Sequence, residues 1–412
     1  MKFPLVLSLL LLPLNAEELQ TAPSLPDKKE EAYPALERFI NVLETVRKRH
    51  PDMDKLAYDR LVNHALDGML TSLDRHSSFI HPEMQQLFSS DGSINNQIPS
   101  LGLSIAKSDN GFLISAIEND GPAAKAGITP NSRLLKINGA PTDNLAPLSL
   151  LEILRRPAGE VTKLLIRNPE RPGELEFSLT HRFVEQGSLN QANLLEKHPT
   201  IGYVRLVQFG QNCAREVEAA LDELEDKGMT HLIIDLRGNG GGDLHETVKI
   251  LGLLLPPGQS VVSVRERGKP EEFLKTPDRQ RRRREYPVAV LIDQNSASAS
   301  ELTAGALHDL KRAAVIGEKS YGKGSVQNII PMGNGTALRL TIATYHTPSG
   351  NTPHKIGIEP EIPVQISELD RENFNRAGRI TALTEDQKAA LSKWNDPVIK
   401  AAIEHLKKQP ER

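Results

Sequence analysis

Apolar residues recur at helical spacing from Ala35 to Arg49 (Leu36, Phe39, Ile40, Leu43, Val46) and from Leu56 to Leu73 (Leu61, Ala65, Leu66, Met69, Leu70), which predicts a helical hairpin. Between residues 99 and 183 the pattern shortens to strands and glycine turns. Leu101 to Ile105, Phe112 to Ile117, Leu134 to Ile137 with Asn138-Gly139 after it, and Val161 to Ile166 read as strands, with helical pieces at Gly121 to Ile128 and Leu148 to Arg155. Past a strand ending near Phe183, apolar runs at Ile201 to Val207, Leu232 to Leu236, Val288 to Ile292 and Ala313 to Ile316 alternate with amphipathic segments. Helices are predicted at Cys213 to Lys227, at Leu244 to Leu255 and from a serine turn through Leu310. Strands follow at Asn328 to Met332 and Thr336 to Tyr345, and the tail Thr384 to Lys408 reads as helical and amphipathic (Leu391, Trp394, Val398, Ala401, Ile403, Leu406). The expected fold class is α/β multidomain.

Composition narrows the partners. The chain has 412 residues, 38% of them hydrophobic, enough for more than one core. Its 50 basic and 53 acidic side chains leave a net charge of −3, which supplies no general attraction to nucleic acid or an anionic membrane. Arg281 to Arg284 form a basic run, but acidic neighbours (Glu271, Glu272, Asp278, Glu285) and the lack of interleaved aromatics favour a solvated loop. At the N-terminus, Lys2, the apolar run Leu5 to Leu14 and Asn15-Ala16 before Glu17-Glu18 read as a secretory signal, with a polar, proline-punctuated leader from 17 to 34. The apolar run is too short to span a membrane. Cys213 is the single cysteine, so no internal disulfide exists, and its setting reads as a small apolar residue. An exported, disulfide-free protein fits a bacterial periplasm.

The candidate chemistry lies in two turns. Strand Val288 to Ile292 leads into Ser296-Ala297-Ser298-Ala299-Ser300-Glu301, and strand Ala313 to Ile316 leads to a glycine-bracketed lysine, Lys323. Strand Leu232 to Leu236 leads into Arg237-Gly238-Asn239-Gly240-Gly241-Gly242-Asp243, which lacks both the P-loop ending and a dinucleotide fingerprint but offers amide N–H groups for an oxyanion hole. A serine hydroxyl needs a base. His308 and His245 lie on helices with no motif joining them to Ser298, whereas a lysine serves if burial lowers its pKa from about 10.4 to about 7 or 8, at a cost of roughly 4 kcal/mol. Ser298 and Lys323 are therefore the expected nucleophile and base. Ser296 and Ser300 are the alternative nucleophiles, with helix capping as their other role. The turn Asp74-Arg75-His76-Ser77-Ser78-Phe79 reads as a capping and docking loop.

Three motifs in order, Asp235-Leu236-Arg237-Gly238-Asn239, the Ser-Ala-Ser-Ala-Ser-Glu turn and Tyr321-Gly322-Lys323-Gly324-Ser325-Val326-Gln327, closely resemble the C-terminal processing peptidases, or tail-specific proteases, from about Leu61 to Pro363. The segment before them resembles a circularly permuted bacterial PDZ domain, with Asn131-Ser132 where such domains commonly carry Gly-Asp. The resemblance implies Ser298 as nucleophile, Lys323 as general base, Gln327 orienting it, Asp309 as an accessory aspartate acting at a distance or structurally, and the amides of Gly242 and Ala299 as the oxyanion hole. In the PDZ-like part, Leu101, Gly102, Leu103, Ser104 and Ile105 correspond to the loop and strand that hold a peptide's terminal carboxylate and pair with the peptide. The implied division is a signal peptide at 1–16, a leader and helical region at 17–98, a permuted PDZ domain at 99–183, an α/β peptidase core at 184–365 and a helical tail at 366–412. No cofactor, metal or membrane span is implied. The implied partners are substrates with unstructured C-termini, an adaptor or activator protein, and a second copy joined through the terminal helices. The rivals are an inactive PDZ-bearing scaffold and a hydrolase in which His308 serves Ser298.

Overall fold

The computed structural model describes residues 29–82, 99–108, 111–117, 121–129, 132–142, 145, 150, 153–154, 156–168, 173–183, 187–279, 281–282, 284–377 and 391–409. The signal segment, most of the leader, Asn131 and most of the helix expected at Leu148 to Arg155 lie outside them. The chain divides into two units, residues 1–65 and 66–412.

In the first unit, helix Lys29–Arg49 begins earlier than expected, taking in Pro34 from what reads as leader. Pro34 stands sixth in the helix, so its missing N–H removes a single bond near the first turn. A 3-10 turn, Met53–Lys55, leads to helix Tyr58–Leu73, which runs on into the second unit. The Arg47 guanidinium stacks 3.4 Å above the Tyr58 ring and donates to Leu56 O, closing the hairpin. Leu36, Phe39, Ile40, Val42 and Val46 stay exposed along the first helix.

The second unit holds three sheets. A short strand, β1 (Ser78–Ile80), precedes a β-rich segment made of β2 (Leu103–Ser108), β3 (Gly111–Ile117), helix Pro122–Lys125, β4 (Arg133–Ile137), β5 (Ala140–Pro141), β6 (Val161–Arg167) and β7 (Glu174–Thr180). These strands pair antiparallel in the order β2-β3-β4-β6-β7, with β5 beside β4, so β2 is an edge strand. Alternation along β6 turns Thr162, Leu164 and Ile166 into a core shared with Phe112, Ile114 and Leu134.

The α/β part opens with β8 (Leu189–Leu195) and β9 (His198–Leu206), then helix Cys213–Asp226, β10 (His231–Asp235), helix Leu244–Leu254, β11 (Ser260–Glu266), β12 (Glu272–Lys275) and β13 (Val288–Ile292). Helix Ala299–Asp309, β14 (Ala313–Gly317), β15 (Ser325–Gly333), β16 (Thr336–His346), β17 (Ile362–Pro363) and helices Glu368–Ala377 and Pro397–Leu406 complete it. The central sheet runs β17-β14-β13-β10-β9-β8, parallel except for β8. Every residue of β10, β13 and β14 is buried because both faces are covered. Leu232, Ile234, Val288, Val290 and Ile292 face helices Cys213–Asp226, Leu244–Leu254 and Ala299–Asp309, while Tyr203, Ile233, Leu291 and Ile316 face Val398, Ala402 and Leu406 of the last helix. A third, antiparallel sheet joins β1, β16, β11 and β12, with β15 along the other edge of β16.

In the tail, Asp396 caps the last helix through bonds from Val398 and Ile399 N–H, and Pro397 takes its first turn, where a proline fits and an interior one does not. The charged segment after β11 includes a paired strand, β12. The arginine run is not wholly solvated, since Arg284 is buried and bonded to Asp222 and Glu225 of helix Cys213–Asp226, and Arg281 also reaches Asp222.

Candidate active site

The glycine turn and the serine turn leave the carboxyl ends of neighbouring parallel strands, β10 and β13, where an open α/β sheet exposes loop backbone for binding. Hydrogen bonds lock the turns together. Ser296 Oγ donates to Leu236 O (2.8 Å), Ala297 N–H and Ser300 Oγ donate to Asn239 O (3.0 and 2.9 Å), and Asp293 Oδ1 accepts Gly238 N–H (2.9 Å). Ser296 and Ser300 are thus fully buried ties between the turns and not helix caps. The cap is Ser298 itself, at φ 57° and ψ −115°, a conformation that side chains other than glycine rarely adopt. A Cβ on Gly241 would lie 2.8 Å from Ser298 Cβ and 2.8 Å from Ala297 O, so only glycine lets the turns meet this closely. Among the described residues, the N–H groups of Gly242 and Ala299 donate no hydrogen bond. Ala299 N is the first helical amide, without a partner in the helix ladder.

Glu301 connects this constellation to the lysine. Its buried carboxylate accepts Ser298 N–H at 2.8 Å through Oε2, which also accepts Lys323 N–H at 2.8 Å, while Oε1 accepts Gly322 N–H at 2.7 Å and the Ser320 hydroxyl. Tyr321 N–H donates to Ser296 O at 3.0 Å. The glycines bracketing Lys323 lie against the loop 352–358: a Cβ on Gly324 would sit 2.5 Å from His354 N, and one on Gly322 3.3 Å from Gly357 N. Lys323 is half-buried. Burial pushes its ammonium below the ordinary 10.5, Arg339 pushes the same way, and Glu301 pulls upward without prevailing. A carboxylate is near the lysine, but that of Glu301 is shared among four donors. No hydrogen bond joins Ser298 Oγ to Lys323 Nζ among the described residues.

The remaining candidates fall into place differently. Gln327 is buried on β15 and donates to Ser325 Oγ (2.9 Å) and Thr341 Oγ1 (3.2 Å), with no hydrogen bond to the Lys323 ammonium. Asp309 stands at the other end of helix Ala299–Asp309, about 15 Å from Ala299 along the axis. There its Oδ2 accepts Ser349 N–H at 3.0 Å. His308 shares that distant end, exposed and 3.7 Å from Asp309. Cys213 is fully buried, which pushes its thiol up to about 12, so it is no nucleophile. In the β-rich segment Gly102 takes φ 69° with Gly121 Cα 2.6 Å from where its Cβ would stand. Leu101 is buried in that segment's core, Leu103 nearly so, Ser104 is exposed and Ile105 half-buried on edge strand β2.

Glu301 went unassigned in the sequence, although Ser298 and Glu301 form the S-x-x-E pattern of a capping box. Also unassigned was the buried network in which Arg237 pairs with Asp235 (2.6 Å) and Asp396 (2.9 Å), stacks 4.1 Å over Phe374, and shares Asp235 with the Tyr203 hydroxyl (2.7 Å). The Asp235-Leu236-Arg237 stretch at the end of β10 and just beyond it carried half of that signal; Asp396 carried none.

Residues 200–364 match the model of peptidase family S41, and residues 113–168 that of the PDZ domain. The chain is 33% identical to the carboxy-terminal-processing protease of Bartonella bacilliformis over 360 residues, covering 85% of this chain and 80% of that protein. It is 33% identical to the carboxyl-terminal-processing protease of Synechocystis, covering 73% and 70%. Among solved structures, the photosystem II D1 C-terminal processing protease superposes with a TM-score of 0.58 at 25% identity, covering 82% of this chain and 92% of that one. With these matches around one serine turn and one glycine turn, the chain belongs to peptidase family S41, as a carboxy-terminal-processing protease carrying a PDZ domain.

Proposed function

We propose that this protease is an exported endopeptidase that cuts proteins at or near their C-terminal tails with a Ser298/Lys323 dyad. Neutral Lys323 takes the proton as Ser298 Oγ attacks the carbonyl carbon, and the tetrahedral oxyanion is held by the amides of Gly242 and Ala299, each such donor being worth about 3 to 4 kcal/mol. The lysine ammonium then protonates the leaving amine. Water, deprotonated by the same lysine, hydrolyses the acyl-enzyme and returns the hydroxyl to Ser298. The observation that carries this reading is the Glu301 carboxylate, which accepts from the backbone of both Ser298 and Lys323 and so ties nucleophile and base to one anchor. Gln327 acts on the lysine through the packing of β15, and Asp309 braces the far end of the helix.

The PDZ domain engages the substrate's terminal carboxylate at Gly102 and pairs its last residues along β2, whose outer edge pairs with no other strand among the described residues and suits strand addition. It then delivers the tail or gates the site. Export to the periplasm rests on the apolar N-terminal segment, and no described helix is long and apolar enough to cross a membrane. Assembly with a second copy is supported by the exposed apolar stripe of helix Lys29–Arg49, and an adaptor remains a partner implied by the family.

Turnover of casein or a fluorogenic peptide by the parent, Ser298→Ala and Lys323→Ala tests the dyad. Both variants are expected to lose about 10³-fold or more in kcat. Equal activity in all three overturns the dyad, and an inactive parent favours the scaffold.

A further inference from the structure

The turn Asp74–Ser77 meets the lysine side of the site along a chain of contacts. Asp74 Oδ1 accepts the N–H groups of His76 (2.7 Å) and Ser77 (2.8 Å), and its Oδ2 accepts the Ser77 hydroxyl (2.8 Å). Ser77 Oγ accepts Thr341 N–H at 3.1 Å, and Thr341 Oγ1 accepts from Gln327 Nε2 at 3.2 Å. Gln327 also holds Ser325, the residue two places after Lys323. Strand register agrees: Ser78 faces Arg339 on β16, which sets residue 76 opposite Thr341, and Thr341 faces Gln327 on the other edge. Arg75 lies 4.7 Å over the ring of Tyr321, two places before Lys323.

Between these two anchors His76 is half-buried. Burial first and the Lys323 ammonium second push its imidazole down to about 4, so it is neutral at pH 7. Arg75 and Arg339 also disfavour its charged form, while Asp74 favours it. The charges that act on Lys323 are those of Arg339 and Glu301, the lysine in turn acts on His76, and His354 feels Asp74, Arg75 and Lys355.

We propose that the segment Asp74–Ile80 is the seat of the general base, with His76 walling Lys323 from water and Ser77 fixing, through Thr341 and Gln327, the strand that leaves the lysine loop. Both are positioning residues, and this rests on the Ser298/Lys323 reading. Removing the imidazole admits water, the lysine regains affinity for its proton, and less of it is neutral at pH 7.

The test is the pH dependence of kcat and KM for the full chain as parent, His76→Ala, His76→Gln and Ser77→Ala, with Lys323→Ala as reference. In His76→Ala the acidic limb of kcat is expected to move up by about one pH unit, roughly a 10-fold loss at neutral pH that is regained in alkali. KM should hold within about twofold. His76→Gln should restore most of the rate, and Ser77→Ala should lower kcat at every pH with KM kept. A parental limb in His76→Ala overturns the proposal, as does a loss equal at all pH that glutamine does not rescue. Should His76→Ala fail to fold, parental kcat in Ser77→Ala overturns it. If Lys323→Ala keeps parental activity, the dyad has failed and not the seat.

Discussion

Lys323 has to be neutral to act and is held where charge is disfavoured, and that has a thermodynamic signature. Its folded pKa lies below 10.5, so between the two values the unfolded chain binds the extra proton and stability rises with pH. The cost of burying the ammonium is fully present below the folded pKa and is gone above 10.5. Lys323→Met is therefore expected to melt above the parent at neutral pH, with the gap closing as pH approaches 10.5; a constant gap across that range would contradict the shift. Lys323→Arg should be as inactive as the alanine variant, because a guanidinium stays protonated. Gly241 makes a second test at this scale. Its φ of 106° and its approach to Ser298 mean that Gly241→Ala should cut kcat by about 10²-fold by displacing the nucleophile, with KM little changed. A rate within twofold of the parent would show that the turns do not need to touch.

At the scale of elements, Arg237 carries the consequence of burying a charge network at the root of the glycine turn. Breaking a buried pair from one side strands the other charge, which typically costs about 3 to 5 kcal/mol. Arg237→Met, which leaves Asp235 and Asp396 without the cation they share, should lower the unfolding free energy from denaturant titration by that order. Asp396→Asn should cost less, since Asp235 still pairs with Arg237 and asparagine still caps the last helix. Equal and small losses would mean the network is not cooperative. Most of this architecture was legible from pattern: β10, β13 and β14 read as unbroken apolar runs because both faces are covered, and the serine and lysine turns stood out because their glycines and small residues are where backbones approach. Asp396 was not legible, since a contact across 159 residues has no local mark. Glu301 was missed for a related reason: its capping-box spacing marks the helix start, whereas its bonds to Gly322 and Lys323 exist only once β14 has brought the lysine loop alongside.

For the whole molecule, the exposed stripe Leu36, Phe39, Ile40, Val42 and Val46 is more apolar surface than a lone helix keeps in water. Light scattering should find the parent as a dimer or larger, and Leu36→Asp/Ile40→Asp should reduce its mass; an unchanged mass places the assembly surface elsewhere. A tail peptide with a free carboxylate should bind Ser298→Ala at least about 10-fold more tightly than its amidated form, and equal binding would exclude carboxylate capture at Gly102. The central claim about the enzyme is that Lys323 is the base. Its most direct test is an NMR titration of the lysine Cε and Nζ signals in the full chain, with Lys323→Ala identifying the resonance. The account predicts a midpoint below 10.5 that coincides with the acidic limb of kcat/KM. A midpoint at or above 10.5 in an enzyme active at neutral pH would contradict it.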